Sequence, residues 1–166
     1  VDDFSTDVVS LELLHKLENL NLPNLTIIKN QLKMGLSATR NQALAHVQGD
    51  YIVTLDADDI LGLDFIRLCV NALQKSIEYD FVVTPAAYFI DDEESQLETK
   101  HEYRDYAVFV GEGLLPGLYQ NQFSTATVFG RSSAFRSLRY DENLSCYEDW
   151  DFYMRANIAG HRFLVT

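Results

Sequence analysis

The stretch YIVTLDADDILG, residues 51–62, sets Asp56, Asp58 and Asp59 at the end of an apolar run. Three carboxylates so close in sequence repel one another, and a hard dication is the partner that relieves the crowding. Magnesium or manganese takes one or two carboxylates and completes its shell with water and ligand phosphates. Two further acidic pairs stand at comparable places: Asp2 and Asp3 in VDDFSTD, which reads as a strand end, and Glu148 and Asp149 in YEDWDF, at the start of a helical pattern. Arg40 supplies a guanidinium that suits a cluster of carboxylates as charge partner. An EF-hand loop is a poorer match, because it needs Asp or Asn where Ile60 stands and Gly where Leu61 stands. Acids after strands and in first helical turns also serve as turn and cap residues, so the pattern gains force only from the elements that gather it.

Those elements alternate. Behind the N-cap candidates Ser5, Thr6 and Asp7, the residues Val9, Leu13, Leu17 and Leu20 recur at helical spacing. LTIIKN is a short β-rich run, and MGLSATRNQALAHVQG reads as a loop leading into a helix stopped by Gly49. YIVTLD is a buried strand, LDFIRLCVNALQKS a helix, and YDFVVTPAAYFI a strand interrupted by Pro85. From Asp91 to about Gly117 an acidic run and a polar aromatic stretch break the rhythm, which reads as an excursion over the ligand face holding His101, Tyr103 and Arg104. A strand and short helix in FSTATVFGRSSAFRSLRYDENL, a helix in EDWDFYMRANIAG and a strand in HRFLVT complete the series. Strand–helix alternation predicts an α/β layered sheet with mostly parallel strands and ligands at their carboxyl ends.

The bulk numbers narrow the partners. The chain has 166 residues, 47% of them hydrophobic, enough for one sizeable core in a single domain over residues 1–166. Thirteen basic against twenty-five acidic residues give a net charge of −12, the wrong sign for gripping nucleic acid or anionic lipid. A small anion would need local help from a metal, a basic side chain or a helix N-terminus. Cys69 and Cys146 show no metal or disulfide spacing, which fits a reducing compartment. No apolar run of about 18 residues is present.

Four segments in order, VDDFSTD, GLSATRNQALAHVQGDYIVTLDADD, DENL and YEDWDFYMRANIAGHRF, together resemble the family 2 glycosyltransferases, inverting sugar-nucleotide transferases of the GT-A fold. The resemblance runs from end to end and is weakest between Asp91 and Asn121. It implies a layered α/β/α nucleotide-diphospho-sugar fold and roles for individual residues. One of Asp2 and Asp3, with Asp3 favoured, would accept a hydrogen bond from uracil. Gly35 would let backbone approach the nucleotide, and Arg40 would reach the nucleotide and the D-x-D acids. Asp58 would coordinate the metal, manganese or magnesium, with Asp56 on the ribose or the metal's hydration shell. Asp149 would be the general base beside Glu148, and Asp59 would cap the turn or orient the acceptor; Trp150 suits either stacking on an acceptor sugar or anchoring the core. Asp151 and Arg155 read instead as an i,i+4 pair on the helix surface.

The implied reaction moves a sugar from a nucleoside-diphosphate donor, a uridine diphosphate sugar, to a carbohydrate or lipid-linked acceptor in glycan or polysaccharide synthesis. The implied location is cytoplasmic, with membrane association through segments outside this sequence. Family members begin with a strand and helix bearing a P-x-Y-N-like motif, and nothing here matches it, so the first strand and helix of the domain are expected to be missing and the C-terminal side incomplete. Two other readings stand beside this one: a nucleotidyltransferase, for which no glycine-rich phosphate loop is visible, and a non-catalytic module of the same fold that binds a sugar nucleotide or glycan.

Overall fold

The computed structural model describes residues 1–88, 105–107 and 128–165. The helices are α1 (Val8–Asn19), α2 (Leu36–His46), α3 (Phe65–Lys75), α4 (Ser132–Arg136) and α5 (Glu148–Ile158). The strands are β1 (Tyr51–Val53), β2 (Phe81–Val83), β3 (Ala86–Tyr88), β4 (Asp105–Ala107), β5 (Val128–Arg131) and β6 (Phe163–Val165). His101, Tyr103, Arg104 and nearly all of the predicted excursion lie outside the described residues; β4, which pairs antiparallel with β3, falls within it.

The main sheet has the order β1-β5-β2-β6. Its pairing is mixed: β5 runs antiparallel to both β1 and β2, and β6 runs parallel to β2. Three of the four strands point one way, but β5 is a reversed strand inserted between two of them, so only the β2–β6 pairing is parallel where alternation with helices predicted mostly parallel pairing. Side-chain alternation along the strands separates two cores. On one face Ile52, Phe81, Val83, Val128, Phe163 and Val165 pack with Leu44 of α2, Ala134 and Phe135 of α4, and Phe152, Tyr153 and Ala156 of α5. On the other face Val82 and Phe129, with Tyr51, Val53 and Leu164, pack against Phe65, Cys69 and Leu73 of α3. The result is a helix–sheet–helix sandwich, the α/β fold anticipated from the order of elements.

Close packing at the centre demands one glycine. A Cβ on Gly130 would run into the Phe81 ring and lie 3.0 Å from Phe135, so the edge-to-face pair of these rings, from β2 and α4, closes over bare backbone. Helix α5 ends in a Schellman arrangement, with Gly160 at φ 97° donating to Asn157 O and His161 donating to Ala156 O. LTIIKN, predicted as a strand, forms only a single parallel bridge, Lys29 with Asp2. In α1 none of the residues is buried; Val9, Leu13 and Leu20 are exposed although their spacing suits a packed face.

Candidate active site

The chain runs out of β1 through Thr54 and Leu55 to Asp56, at the carboxyl end of a strand, where α/β sheets place ligands. A cleft of about 770 Å³ opens there, lined by Asp3, Gly35, Thr39, Arg40, Thr54 and Asp56 among others. Asp3, Gly35, Arg40 and Asp56, singled out from sequence, therefore share one cavity. Asp58 is exposed beyond its lining, and Asp59 is half-buried.

Asp3 forms the first wall. Its Oδ1 accepts from Asn30 Nδ2 (2.9 Å) and Met34 N–H (2.8 Å), and its Oδ2 accepts from Gly35 N–H (2.8 Å). Burial acts to raise its pKa, but the bonds from Met34, Asn30 and Gly35 outweigh that and hold the carboxyl below its ordinary value. The carboxylate thus fixes the loop that leads into α2. Gly35 caps that helix at φ 89°, a left-handed conformation that side chains strain to adopt, while the space around it is open. Backbone angle, not crowding, selects glycine. Asp2, the other member of the pair, turns away: its carboxylate accepts from the backbone N–H and hydroxyl of Ser5.

Arg40 sits at the centre and is 7% exposed. Its Nη1 donates to Glu148 Oε1 at 2.6 Å and its Nη2 to Asp56 Oδ1 at 2.8 Å, while its Cζ lies 5.5 Å from the centroid of the Tyr140 ring. Burial tends to lower the Arg40 pKa; hydrogen bonding and charge from Asp56, with Tyr140 and Glu148, reverse this and raise it. One guanidinium therefore ties the end of β1 to the start of α5. Tyr140, also buried, has its phenol pushed up by burial.

Helix α5 begins abruptly. Tyr147 precedes it in a left-handed conformation at φ 59°, and Glu148, Asp149 and Asp151 crowd the first turn, where the helix dipole favours negative charge. Asp149 Oδ1 accepts from Trp150 N–H at 2.6 Å, which orients the carboxylate. Trp150 packs at the margin of the core and meets Tyr147 edge-on at 6.0 Å. Asp151 and Arg155 form the anticipated i,i+4 ion pair at 2.6 Å, and Arg155 also donates to Arg139 O. Cys69 is buried and Cys146 exposed, both as free thiols.

Sequence reasoning missed Asn41. This buried residue donates to Tyr140 O (2.9 Å) and Glu142 Oε1 (2.8 Å) and accepts from Tyr140 N–H (2.8 Å), stitching α2 to the loop before α5. Asn30, which braces Asp3, was missed as well. The available signal was a helix with so many polar residues: α2 buries Ser37, Arg40 and Asn41 alongside Ala38 and Leu44, and fixed partners offset the burial of Arg40 and Asn41.

Among the described residues no group of three His, Cys, Asp or Glu side chains forms a ready metal cage. The donor set at the strand end is nonetheless hard oxygen: Asp56 is paired with Arg40, and burial, then the charges of Asp56 and Asp58, push the Asp59 carboxyl above its ordinary value. Such a set fits a dication that uses one or two protein carboxylates and fills its shell from water and phosphate. No helix among the described residues is long and apolar enough to cross a membrane.

An α/β sandwich with an arginine-braced cleft at the carboxyl end of its sheet has the architecture that places ligands outside the strand ends. Comparison with known proteins sharpens the class. The pattern described as glycosyl transferase family 2 matches residues 1–143, and the chain belongs to that family. It is 29% identical to the putative colanic acid biosynthesis glycosyl transferase WcaA of Escherichia coli, across 93% of this chain and 53% of that protein. It is 23% identical to the amylovoran biosynthesis glycosyltransferase AmsB of Erwinia amylovora, across 99% and 55%. The chain thus spans about half the length of these curated relatives. The crystal structure of S. aureus TarS 1-349 superposes with a TM-score of 0.70 at 21% identity, covering 99% of this chain and 47% of that one, a likeness of fold.

Proposed function

We propose that this domain transfers a sugar from a nucleoside-diphosphate donor, with uridine diphosphate as carrier, to a carbohydrate or lipid-linked acceptor during polysaccharide synthesis, with inversion at the anomeric carbon. The observation that carries the reading is Arg40, a cleft residue whose guanidinium holds both the strand-end acid Asp56 and the helix-start acid Glu148. Family membership and two relatives named for colanic acid and amylovoran biosynthesis support it.

In this reading Asp3 and Gly35 line the base and ribose end of the cleft, and the free capacity of the Asp3 oxygens accepts from uracil. Asp58 and Asp56 would hold a manganese or magnesium ion, which when bound neutralises charge building on the departing diphosphate. Asp149 takes the proton from the acceptor hydroxyl as that oxygen forms its bond to the anomeric carbon and the bond to the diphosphate breaks on the opposite face. Its bond from Trp150 N–H keeps the carboxylate in place during the transfer. Trp150 and Asp59 border the acceptor side.

Incubation with a panel of sugar nucleotides, manganese and candidate acceptor glycans tests the reading. Wild type should release nucleoside diphosphate, and Asp149→Asn should lower kcat by at least about 100-fold with little change in donor KM. Equal activity in the two would remove Asp149 from the role of base. Release of pyrophosphate would instead favour nucleotidyl transfer.

A further inference from the structure

We propose that Arg40 is a positioning residue: it clamps the donor-side acid Asp56 to the helix carrying the base, and Glu148 acts through Arg40 as the anchor of that clamp. The inference rests on the transferase reading above and adds to it a coupling between the two halves of the site.

Three observations carry it. The two arms of the guanidinium go to different elements, Nη2 to Asp56 after β1 and Nη1 to Glu148 at the start of α5. Arg40 is 7% exposed and the Glu148 side chain 12%, so water does little to screen that pair, whereas Asp56 at 34% still faces the cleft. The guanidinium also lies over the Tyr140 ring, and Tyr140 is itself held by Asn41, the next residue of the same helix. Arg40 is therefore fixed from both its base and its tip, and the acids take their positions from it.

Geometry also separates a clamp from a mere positive charge. A planar fork can hold two acids at once in fixed directions, while an ammonium presents one nitrogen on a flexible stem. Glu148 and Asp149 are consecutive on α5, so pinning the first sets where the second faces. A carboxylate that served as a second base would need to be open to the acceptor, and the Glu148 side chain is only 12% exposed with Oε1 bound to Arg40. Division of labour between adjacent acids follows: Glu148 holds, Asp149 reacts.

The test is a double-mutant cycle in the full chain with Arg40→Lys, Glu148→Ala, Glu148→Gln and the pair Arg40→Lys with Glu148→Ala. Melting temperature, calorimetric affinity for uridine diphosphate with manganese, and kcat and donor KM for transfer are measured for each. The clamp predicts that Glu148→Ala weakens uridine diphosphate binding by about tenfold and lowers kcat by a similar factor, although Glu148 touches no donor. Glu148→Gln, which keeps an acceptor oxygen, should recover most of the binding. Arg40→Lys should not rescue, and adding Glu148→Ala to it should cost little more. Multiplying effects in the double mutant, or a Glu148→Ala protein with unchanged nucleotide affinity, would overturn the clamp in an active enzyme. A wild-type chain that neither binds nor transfers would overturn the transferase reading and the clamp's catalytic purpose with it, leaving only the ion-pair coupling to be seen in the melting cycle.

Discussion

Helices α2 and α3 each have 11 residues and pack on opposite faces of the same sheet, yet α3 buries only Cys69 and Leu73 whereas α2 buries polar side chains beside Ala38 and Leu44. Helix α3 buries Cys69 and Leu73 and leaves its polar residues in water. Helix α2 buries Ser37, Arg40 and Asn41 and exposes Leu36 at its start. Apolar burial stabilises without direction, so α3 needs only the right shape. Polar burial is costly unless a group finds its partner, and in α2 Arg40 and Asn41 find theirs in Asp56, Glu148, Tyr140 and Glu142, while the buried Ser37 hydroxyl has none among the described residues. The cost is borne where precision is needed: α3 holds the sheet, and α2 assembles the cleft.

Two substitutions test this contrast, the larger effect first. Leu73→Ala removes a fully buried side chain from the α3 face and should cost about 2–5 kcal/mol of unfolding free energy, measured by urea denaturation. Its kinetics per folded molecule should stay close to wild type, because Leu73 touches nothing in the cleft. Asn41→Ala should cost less stability, about 1–3 kcal/mol, by stranding the N–H and C=O of Tyr140. Its kcat should nevertheless fall, since Arg40 rests on that tyrosine ring. If Asn41→Ala lost stability and kept full activity, the division between a holding helix and a site-building helix would be wrong.

How much of this was legible in the sequence follows from the range of each interaction. The helices and the acids at their ends are local features, so α2, α3 and α5, the strand end at Asp56 and the ion pair of Asp151 with Arg155 follow from spacing and caps. The insertion of β5 between β1 and β2 does not, because pairing order depends on strands far apart in the chain. LTIIKN has strand composition and yet forms one bridge, since pairing partners rather than propensity make a strand. Asn41 was hidden for the same reason: its side chain bonds to residues about a hundred positions away. Arg40 was visible as a charge partner for the D-x-D acids, but its grip on Glu148 required the fold.

The two helices also start differently, and acid should expose this. Asp3 holds the loop into α2 by accepting from Met34 and Gly35 N–H groups, whereas Asp64, the N-cap of α3, makes no capping hydrogen bond and pairs with Arg67 on the surface. The Asp3 pKa is lowered in the folded state from its ordinary 3.8, so its carboxylate contributes stability that is present above about pH 4 and fades as pH falls through the folded value. Asn at this position has one acceptor oxygen and cannot serve both N–H groups and Asn30. The stability gap between wild type and Asp3→Asn should therefore be larger at pH 6 than at about pH 3, in urea melts with both proteins in the same buffers. Asp64→Asn, by contrast, should shift stability little at either pH, because an exposed i,i+3 pair is worth at most a few tenths of a kcal/mol. A pH-independent gap for Asp3→Asn would mean that the loop is held by shape alone, and that charge distinguishes only the centre of α2 from α3, not its start.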